Sequence, residues 1–115
     1  MYGLTEKDLM YILDGIRKYS EINKAIIFGS RAIGNYKKGS DIDLAITGDR
    51  ITKDILNELD DYLNEVCPIP YFFDLMHYES LSNENLKKHI DEYGKIIYEQ
   101  RSIEKEWLLM ILIGK

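Results

Sequence analysis

The sequence predicts an α/β fold of the α+β kind, in which helices pack on a small mixed sheet. Stretches with apolar residues at helical spacing alternate with short apolar runs typical of buried strands, in the order αβ(α)βαβαβ. A loop connects a Gly29-Ser30 pair, at the end of the first run, to Asp41 at the start of the second. If the two strands are neighbours, both ends of this loop can meet one ligand only when the strands are antiparallel. We therefore expect a mixed sheet and not a doubly wound dinucleotide-binding fold.

The N-terminal half of the chain predicts two helices and two strands around this loop. Thr5 is the expected cap of a first helix that ends near Tyr19, because apolar residues then recur at intervals of three and four. The first strand is expected from Lys24 to Phe28, a short helix from Ser30 to Ile33, and the second strand from Asp41 to Thr47. The loop with the polar motif therefore lies between two strands.

The C-terminal half predicts two further helix–strand pairs. Thr52 is expected to cap a helix that Pro68-Ile69-Pro70 ends, and a strand from Tyr71 to Met76 follows. Ser82 is the expected cap of the next helix, and Lys95 to Tyr98 is the expected fourth strand. We expect four strands in all.

The end of the chain has a different character, so we divide the chain into a domain over residues 1–100 and an extension over residues 101–115. No charged residue interrupts the run from Trp107 to Ile113, and a helix there carries apolar side chains at every angle. A terminal helix that closes the core is the ordinary alternative. Because one helix cannot bury every side against so small a domain, we expect an interface with a partner or with a second copy in a homodimer.

Composition limits the classes of protein to which the chain can belong. Its 115 residues, 45 % hydrophobic and 30 % charged, are typical of one globular domain. A net charge of −5 argues against a broad nucleic-acid surface, and no direct nucleic-acid contact is expected. Cys67 is the one cysteine, so no internal disulfide is expected. Without a signal-peptide pattern or an apolar run near the ~20 residues of a membrane span, we expect a cytoplasmic protein with no membrane contact.

The loop motif concentrates residues suited to phosphate and metal chemistry. Asp41 and Asp43 share one face of a strand, with their Cα atoms about 7 Å apart. Two such carboxylates repel unless a cation lies between them or one takes up a proton. Mg²⁺ prefers carboxylates together with substrate phosphate oxygens. Arg31, inside the loop, is a candidate phosphate contact, with ordinary solvated loop charge as the alternative.

Asp74 is a third candidate, because it interrupts an otherwise apolar strand. An unpaired buried carboxylate is costly and calls for a partner, a proton or a metal. An Asp at a strand end, bonded to backbone, is the ordinary alternative. With Asp41 and Asp43 on an adjacent strand, three carboxylates can hold two Mg²⁺ ions, and such sites catalyse in-line nucleotidyl transfer.

The two histidines are weaker candidates. His77 follows the Asp74 strand and is a candidate for the edge of the site, with a role away from the site as the ordinary alternative; the two histidines show no metal-ligand spacing. His89 follows two lysines, and we expect it at the surface of its helix.

These residues resemble the signature of the minimal nucleotidyltransferases (MNT type) of the DNA polymerase β superfamily. That signature is a Gly-Ser pair, a loop, an Asp-x-Asp triplet and a third Asp on a later strand. Gly29-Ser30, Asp41-Ile42-Asp43 and Asp74 match it in order, and the resemblance extends from about Ile26 to Leu81. Many members carry a second arginine in the loop where this chain has Ile33. The resemblance implies a polymerase-β-like palm fold.

The resemblance also implies a role for each residue. Gly29 and Ser30 hold the β- and γ-phosphates of ATP or another nucleoside triphosphate through backbone N–H groups and the hydroxyl. Asp41 and Asp43 bind Mg²⁺ that bridges the triphosphate. Asp74 helps the metal, or acts as a base for the acceptor hydroxyl, and attack on the α-phosphorus releases pyrophosphate.

We therefore expect an Mg²⁺-dependent nucleotidyltransferase that moves a nucleoside monophosphate, AMP from ATP, onto an acceptor. Many stand-alone MNT proteins resemble antitoxins that pair with a HEPN-domain toxin, and the resemblance implies adenylylation of that toxin. One alternative is a non-catalytic antitoxin that acts by binding; the three intact carboxylates favour the enzyme. A small-molecule transferase of the aminoglycoside-modifying type is a second alternative, against which the lack of a recognisable substrate domain argues.

Overall fold

The computed structural model describes residues 1–100 and 110–114 and contains one four-stranded sheet. The strands are Lys24–Phe28 (β1), Ile42–Thr47 (β2), Phe73–His77 (β3) and Lys95–Glu99 (β4), in the spatial order β3-β2-β1-β4. β1 is antiparallel to both β2 and β4, whereas β2 is parallel to β3. The predicted mixed sheet and the antiparallel pairing of the first two strands are therefore confirmed.

The helices begin at polar capping residues. They span Glu6–Arg17 (α1), Ser30–Ile33 (α2), Lys53–Asp61 (α3) and Glu84–Tyr93 (α4); α3 continues into a π-helical turn over Tyr62–Val66, and a 3-10 turn over Tyr78–Ser80 follows β3. The side chains of Thr5 and Thr52 accept backbone N–H groups of the first turns of α1 and α3, as predicted. The predicted Ser82 cap of α4 is wrong, because Asn83 accepts the Leu86 N–H. Both residue types cap helices well, and the choice depends on where the helix packs.

Two strands begin later than predicted, at Ile42 instead of Asp41 and at Phe73 instead of Tyr71. β3 lies at the edge of the sheet, and its ladder with β2 starts at the pair Ile42 and Phe73. The ladder can begin only where both strands supply a partner. Asp41 and the residues before Phe73 therefore lie just outside the ladder, at one end of the sheet.

Alternating strand residues point to opposite sides of the sheet and divide the core in two. The larger cluster includes buried residues of α1, the α3 region and one face of the sheet: Leu4, Ile12, Ile16, Ile22, Ala25, Ile27, Ile42, Leu44, Ile46, Leu59, Leu63, Cys67, Ile69 and Phe73. The smaller cluster, on the other face, centres on Phe28, Ala45 and Ile90 of α4. Asp43 precedes Ala45 by two residues, so its side chain lies on this second face.

The C-terminal extension is described only in part. Residues 107–109 of the predicted interface, Trp107 to Ile113, lie outside the described residues. Residues 110–113 are helical, and their four apolar side chains are exposed. The division at residue 100 and the interface remain predictions. Across the described ranges, no helix is long and apolar enough to cross a bilayer.

Candidate active site

The Gly29-Ser30 turn connects the end of β1 to α2 through a backbone conformation that favours glycine. Gly29 has φ 73° and ψ −153°, and its carbonyl accepts the N–H groups of Ala32 and Ile33 in the short helix. A Cβ added to Gly29 would collide with the Asp43 carboxylate. The glycine therefore allows both the sharp turn and the close approach of that turn to an acidic side chain.

Gly29→Ala should destabilise the protein more than the matched variant Gly34→Ala. Both glycines have positive φ, and either alanine introduces backbone strain of about 1–3 kcal/mol. An added Cβ at Gly34 meets nothing within 4 Å, whereas at Gly29 it meets Asp43. Urea denaturation of the two variants measures the difference in the free energy of unfolding. Equal losses would show that Gly29 and Asp43 do not pack as described.

Three carboxylates lie at the same end of two neighbouring strands. Asp43 on β2 is the register partner of Asp74 on β3, and Asp41 lies two residues before Asp43. Asp41 and Asp74 are exposed, while Asp43 is half-buried. Burial raises the pKa of the Asp43 carboxyl, and the charges of Asp74 and then Asp41 raise it further. The site therefore holds an excess of negative charge.

The expectation that Asp74 is buried is wrong. β3 is an edge strand, and the preceding residue on the same face, Phe72, is 58 % exposed. The apolar neighbours of Asp74 in sequence indicated a strand but not a covered face. Its proximity to Asp43 comes from the parallel pairing and does not depend on burial.

The three carboxylates are suited to supply part of the ligand set of an Mg²⁺ ion. Within residues 1–100 and 110–114, no three His, Cys, Asp or Glu side chains converge closely enough to form a complete metal cage. Mg²⁺ keeps several waters and takes one or two carboxylates plus substrate phosphates, so it does not need such a cage. A cation would also relieve the repulsion that raises the pKa of Asp43. Asp41, Asp43 and Asp74 are the residues suited to hold it.

Arg31 lies beneath the loop and is 2 % exposed. Its Nε donates to the carbonyl oxygens of Ser40 (3.1 Å) and Asp41 (3.3 Å), and its Nη2 donates to Ser40 (2.6 Å). Its Nη1 donates to the carbonyl of Tyr2 at 3.0 Å. The guanidinium therefore joins the two ends of the loop and fixes the backbone at Asp41.

Two aromatic rings enclose the same guanidinium. Its central carbon lies 4.3 Å from the ring centroid of Tyr71 and 5.2 Å from that of Tyr36. In this arrangement Arg31 faces the protein's own carbonyls and rings, unlike the phosphate contact that the sequence suggested. Its charge is used to order the loop.

His89 is the residue of this site that sequence reasoning missed. Its Nε2 accepts the Gly29 N–H at 3.1 Å, and its ring packs edge-on against Phe28 with centroids 6.2 Å apart. It also lies close enough to Asp43 to oppose the rise in that carboxyl's pKa. The sequence does carry a signal: His89 follows Leu86 by three residues, and Leu86 packs against the smaller core cluster, so His89 lies beside the inward face of α4.

His77 lies elsewhere, at the opposite end of β3. Its Nε2 lies 2.8 Å from the Gly48 carbonyl oxygen, and its Nδ1 lies 2.7 Å from Ser80 Oγ. These bonds fasten the turn after β2. Position in sequence after Asp74 thus did not indicate proximity to the carboxylates.

A mixed sheet that brings a Gly-Ser turn against adjacent Asp side chains is the architecture of a nucleotidyltransferase. Residues 11–103 match the family described as polymerase beta, nucleotidyltransferase. The chain belongs to this family, and the predicted enzyme class is confirmed. No curated protein matches the chain significantly.

Solved structures confirm the polymerase-β-like fold. A chain of a toxin–antitoxin structure with AMP-PNP superposes with a TM-score of 0.67 at 19 % identity, covering 94 % of this chain and 83 % of that chain. A chain of a structure of the tri-AMPylated Shewanella oneidensis HEPN toxin in complex with its MNT antitoxin gives a TM-score of 0.62 at 19 % identity, covering 93 % and 82 %. A chain of a MntA–HepT toxin–antitoxin structure gives 0.63 at 18 % identity, covering 94 % and 82 %. At these identities the similarity shows the shared fold.

Proposed function

We propose that this protein is an Mg²⁺-dependent adenylyltransferase that moves AMP from ATP onto a hydroxyl of a HEPN-domain toxin and so acts as its antitoxin. The observation that carries the proposal is the packing of the Gly29 turn against Asp43, whose register partner is Asp74. A glycine turn packed beside paired carboxylates supports a phosphate-binding site next to a cation site. Structural similarity to toxin–antitoxin complexes, one of them with an AMPylated toxin, supports the choice of acceptor.

Each part of the site has a task in this reaction. The backbone N–H groups and hydroxyl of Gly29 and Ser30 bind the β- and γ-phosphates. Asp41 and Asp43, with Asp74, would hold one or two Mg²⁺ ions, which neutralise charge on the triphosphate. The acceptor oxygen bonds to the α-phosphorus as the bond from that phosphorus to the bridging oxygen breaks. Pyrophosphate leaves, and the hydroxyl proton passes to Asp74.

The openness of the site favours a macromolecular acceptor. Asp74 lies on an edge strand and is exposed, as is Phe72 on the same face. A hydroxyl on the surface of another protein can therefore approach Asp74 from the side of the sheet. We assign the exposed apolar residues 110–113 to the contact with that partner, since an apolar surface of this kind is typical of an interface.

A label-transfer assay tests the proposal. The protein is incubated with Mg²⁺, α-labelled ATP or GTP, and a HEPN-domain partner encoded beside it. We expect label from ATP on the partner with the wild-type protein and with the control Asp49→Asn, whose exposed carboxylate lies in the turn after β2. Asp43→Asn should give none. If the partner is neutralised without label, the protein acts by binding alone.

Ser30→Ala should weaken the binding of ATP more than the binding of AMP. In the proposed site the Ser30 hydroxyl contacts the phosphates that leave, and a hydrogen bond to a charged group contributes about 1.5–3 kcal/mol. Calorimetry with each nucleotide measures the two losses. Ser82→Ala, at an exposed serine before α4, is the matched control and should change neither affinity. Equal losses for ATP and AMP in Ser30→Ala would move the hydroxyl away from the leaving phosphates.

A further inference from the structure

His89 connects helix α4 to the phosphate-binding turn. It accepts the backbone N–H of Gly29, the first residue of that turn, at 3.1 Å. We propose that His89 is a further contact for the leaving pyrophosphate end of the nucleotide, where its imidazole exchanges the Gly29 N–H for a phosphate oxygen. This inference rests on the proposed function, because it assumes that a triphosphate lies on the Gly29-Ser30 turn.

The exchange follows from the hydrogen-bonding capacity of the turn. Gly29 has one backbone N–H, and in the structure that group donates to His89 Nε2. The proposed nucleotide site uses the same N–H for a phosphate oxygen. The two acceptors compete for one hydrogen, so a bound phosphate takes the position that the lone pair of Nε2 occupies.

Imidazole is suited to such an exchange because it can act as acceptor or donor. A change of tautomer, in which the ring hydrogen moves from Nδ1 to Nε2, puts an N–H where the lone pair was. The imidazole can then donate to the phosphate oxygen that has taken the Gly29 N–H. A hydrogen bond to a charged phosphate is stronger than the neutral one it replaces.

The charges around the turn favour a donor at this position. Asp41, Asp43 and Asp74 give the site an excess of negative charge, and the triphosphate adds more. The guanidinium of Arg31 is directed at backbone carbonyls beneath the loop. His89 approaches the turn from α4, on the face that carries Asp43.

Packing holds the imidazole in place for this task. Its ring lies edge-on against Phe28, and the ring of Tyr93 lies 5.4 Å away at a tilted angle. Ile90, the next residue in α4, is buried in the smaller core cluster. The backbone of α4 is therefore anchored to the sheet, and the position of the histidine is set by the fold.

Two variants and a matched control test the proposal. His89→Ala removes both hydrogen-bonding roles, His89→Gln retains an acceptor and a donor, and Lys88→Ala changes an exposed neighbour on the same helix. Calorimetry with Mg²⁺ and a non-hydrolysable ATP analogue should give a loss of affinity of about tenfold for His89→Ala and a smaller loss for His89→Gln. Lys88→Ala should bind like the wild type. The affinity for AMP should be unchanged in all three variants, because AMP lacks the β- and γ-phosphates.

A second readout tests the contact itself without nucleotide. The backbone amide resonance of Gly29 should shift in His89→Ala and stay in place in Lys88→Ala. If His89→Ala does not fold, His89→Gln provides the same two measurements.

The outcomes separate this inference from the proposed function. If the wild type binds no nucleoside triphosphate, the proposed function fails, and this inference fails with it. If the wild type binds the analogue and the His89 variants bind it equally or more tightly, the assignment of His89 is overturned while the proposed function stands. A loss for the analogue alone, with a shifted Gly29 amide, supports the assignment.

Discussion

Asp43→Asn and Asp41→Asn each abolish nucleotide transfer while the protein stays folded. In the proposed reaction these carboxylates hold the cation that neutralises the triphosphate, a contribution of several kcal/mol that corresponds to more than about 100-fold in rate. Neither carboxylate belongs to the apolar core. Transfer of label from ATP measures activity, and urea denaturation measures folding. Full activity of both variants with Mg²⁺ present would contradict the metal site.

Asp43→Asn should also raise the free energy of unfolding, by an amount that depends on pH. Burial and two neighbouring carboxylates raise the pKa of Asp43 in the folded state. A carboxyl with a raised pKa stabilises the fold below its unfolded pKa and loses this contribution as pH rises through the folded pKa. The variant has no carboxyl group at this position, so its free energy of unfolding does not fall with pH for this reason. The free energy of unfolding of the variant should therefore exceed that of the wild type by little in acid. The difference should grow as the pH rises and reach a plateau above the folded pKa of Asp43.

Denaturation of the metal-free protein between acid and neutral pH measures this difference. Asp49→Asn is the control, because Asp49 is exposed in the turn after β2 and is expected to show no comparable trend. A stability difference that stays constant with pH would mean that Asp43 does not experience the repulsion described here.

Arg31→Met lowers the free energy of unfolding by about 2–3 kcal/mol, since it removes several charged, partly buried hydrogen bonds to backbone carbonyls. It should also reduce transfer, because the guanidinium holds the carbonyl of Asp41 and thereby the start of β2. Arg31→Lys should recover only part of the loss, because an ammonium group cannot reproduce the planar set of donors. Thermal and urea denaturation measure the loss of stability, and the transfer assay measures the loss of activity.

The control is Arg17→Met, at an exposed arginine that forms an i,i+3 ion pair with Asp14 at 3.8 Å. Such a pair contributes well under about 1 kcal/mol. Loss of ATP affinity in Arg31→Met without loss of stability would contradict the structural role. That result would support the phosphate contact that the sequence predicts for Arg31.

Much of the fold follows from short-range patterns that the sequence displays. The apolar run before Gly29 and the run after Asp43 predict two strands. If these strands are neighbours, the need for both ends of the loop to meet one ligand predicts antiparallel pairing, and β1 and β2 are antiparallel neighbours. Thr5 and Thr52 are each followed by helical periodicity, and both cap their helices. Local chemistry determines these features, so they can be read without the tertiary structure.

Features that depend on packing between distant segments were harder to predict. The sequence shows that Asp74 lies in a strand, but whether that strand is central or at the edge depends on the whole sheet. In the sequence, Arg31 is one of several cations in a glycine-containing loop. Only the tertiary structure shows that its guanidinium donates to the carbonyls of Tyr2 and Ser40. His89 follows two lysines in the sequence, and only its spacing of three residues from Leu86 indicates that it lies beside the inward face of α4.

The parallel pairing of β2 with β3 determines when the site can form during synthesis of the protein. Asp43 and Asp74 belong to strands separated by residues 48–72, which include α3, and non-local pairing of this kind is slow to form. A nascent chain that has emerged only as far as β2 carries the Gly-Ser turn and Asp43 but not Asp74. On the ribosome, the three carboxylates of the proposed site therefore come together only after β3 has emerged and docked.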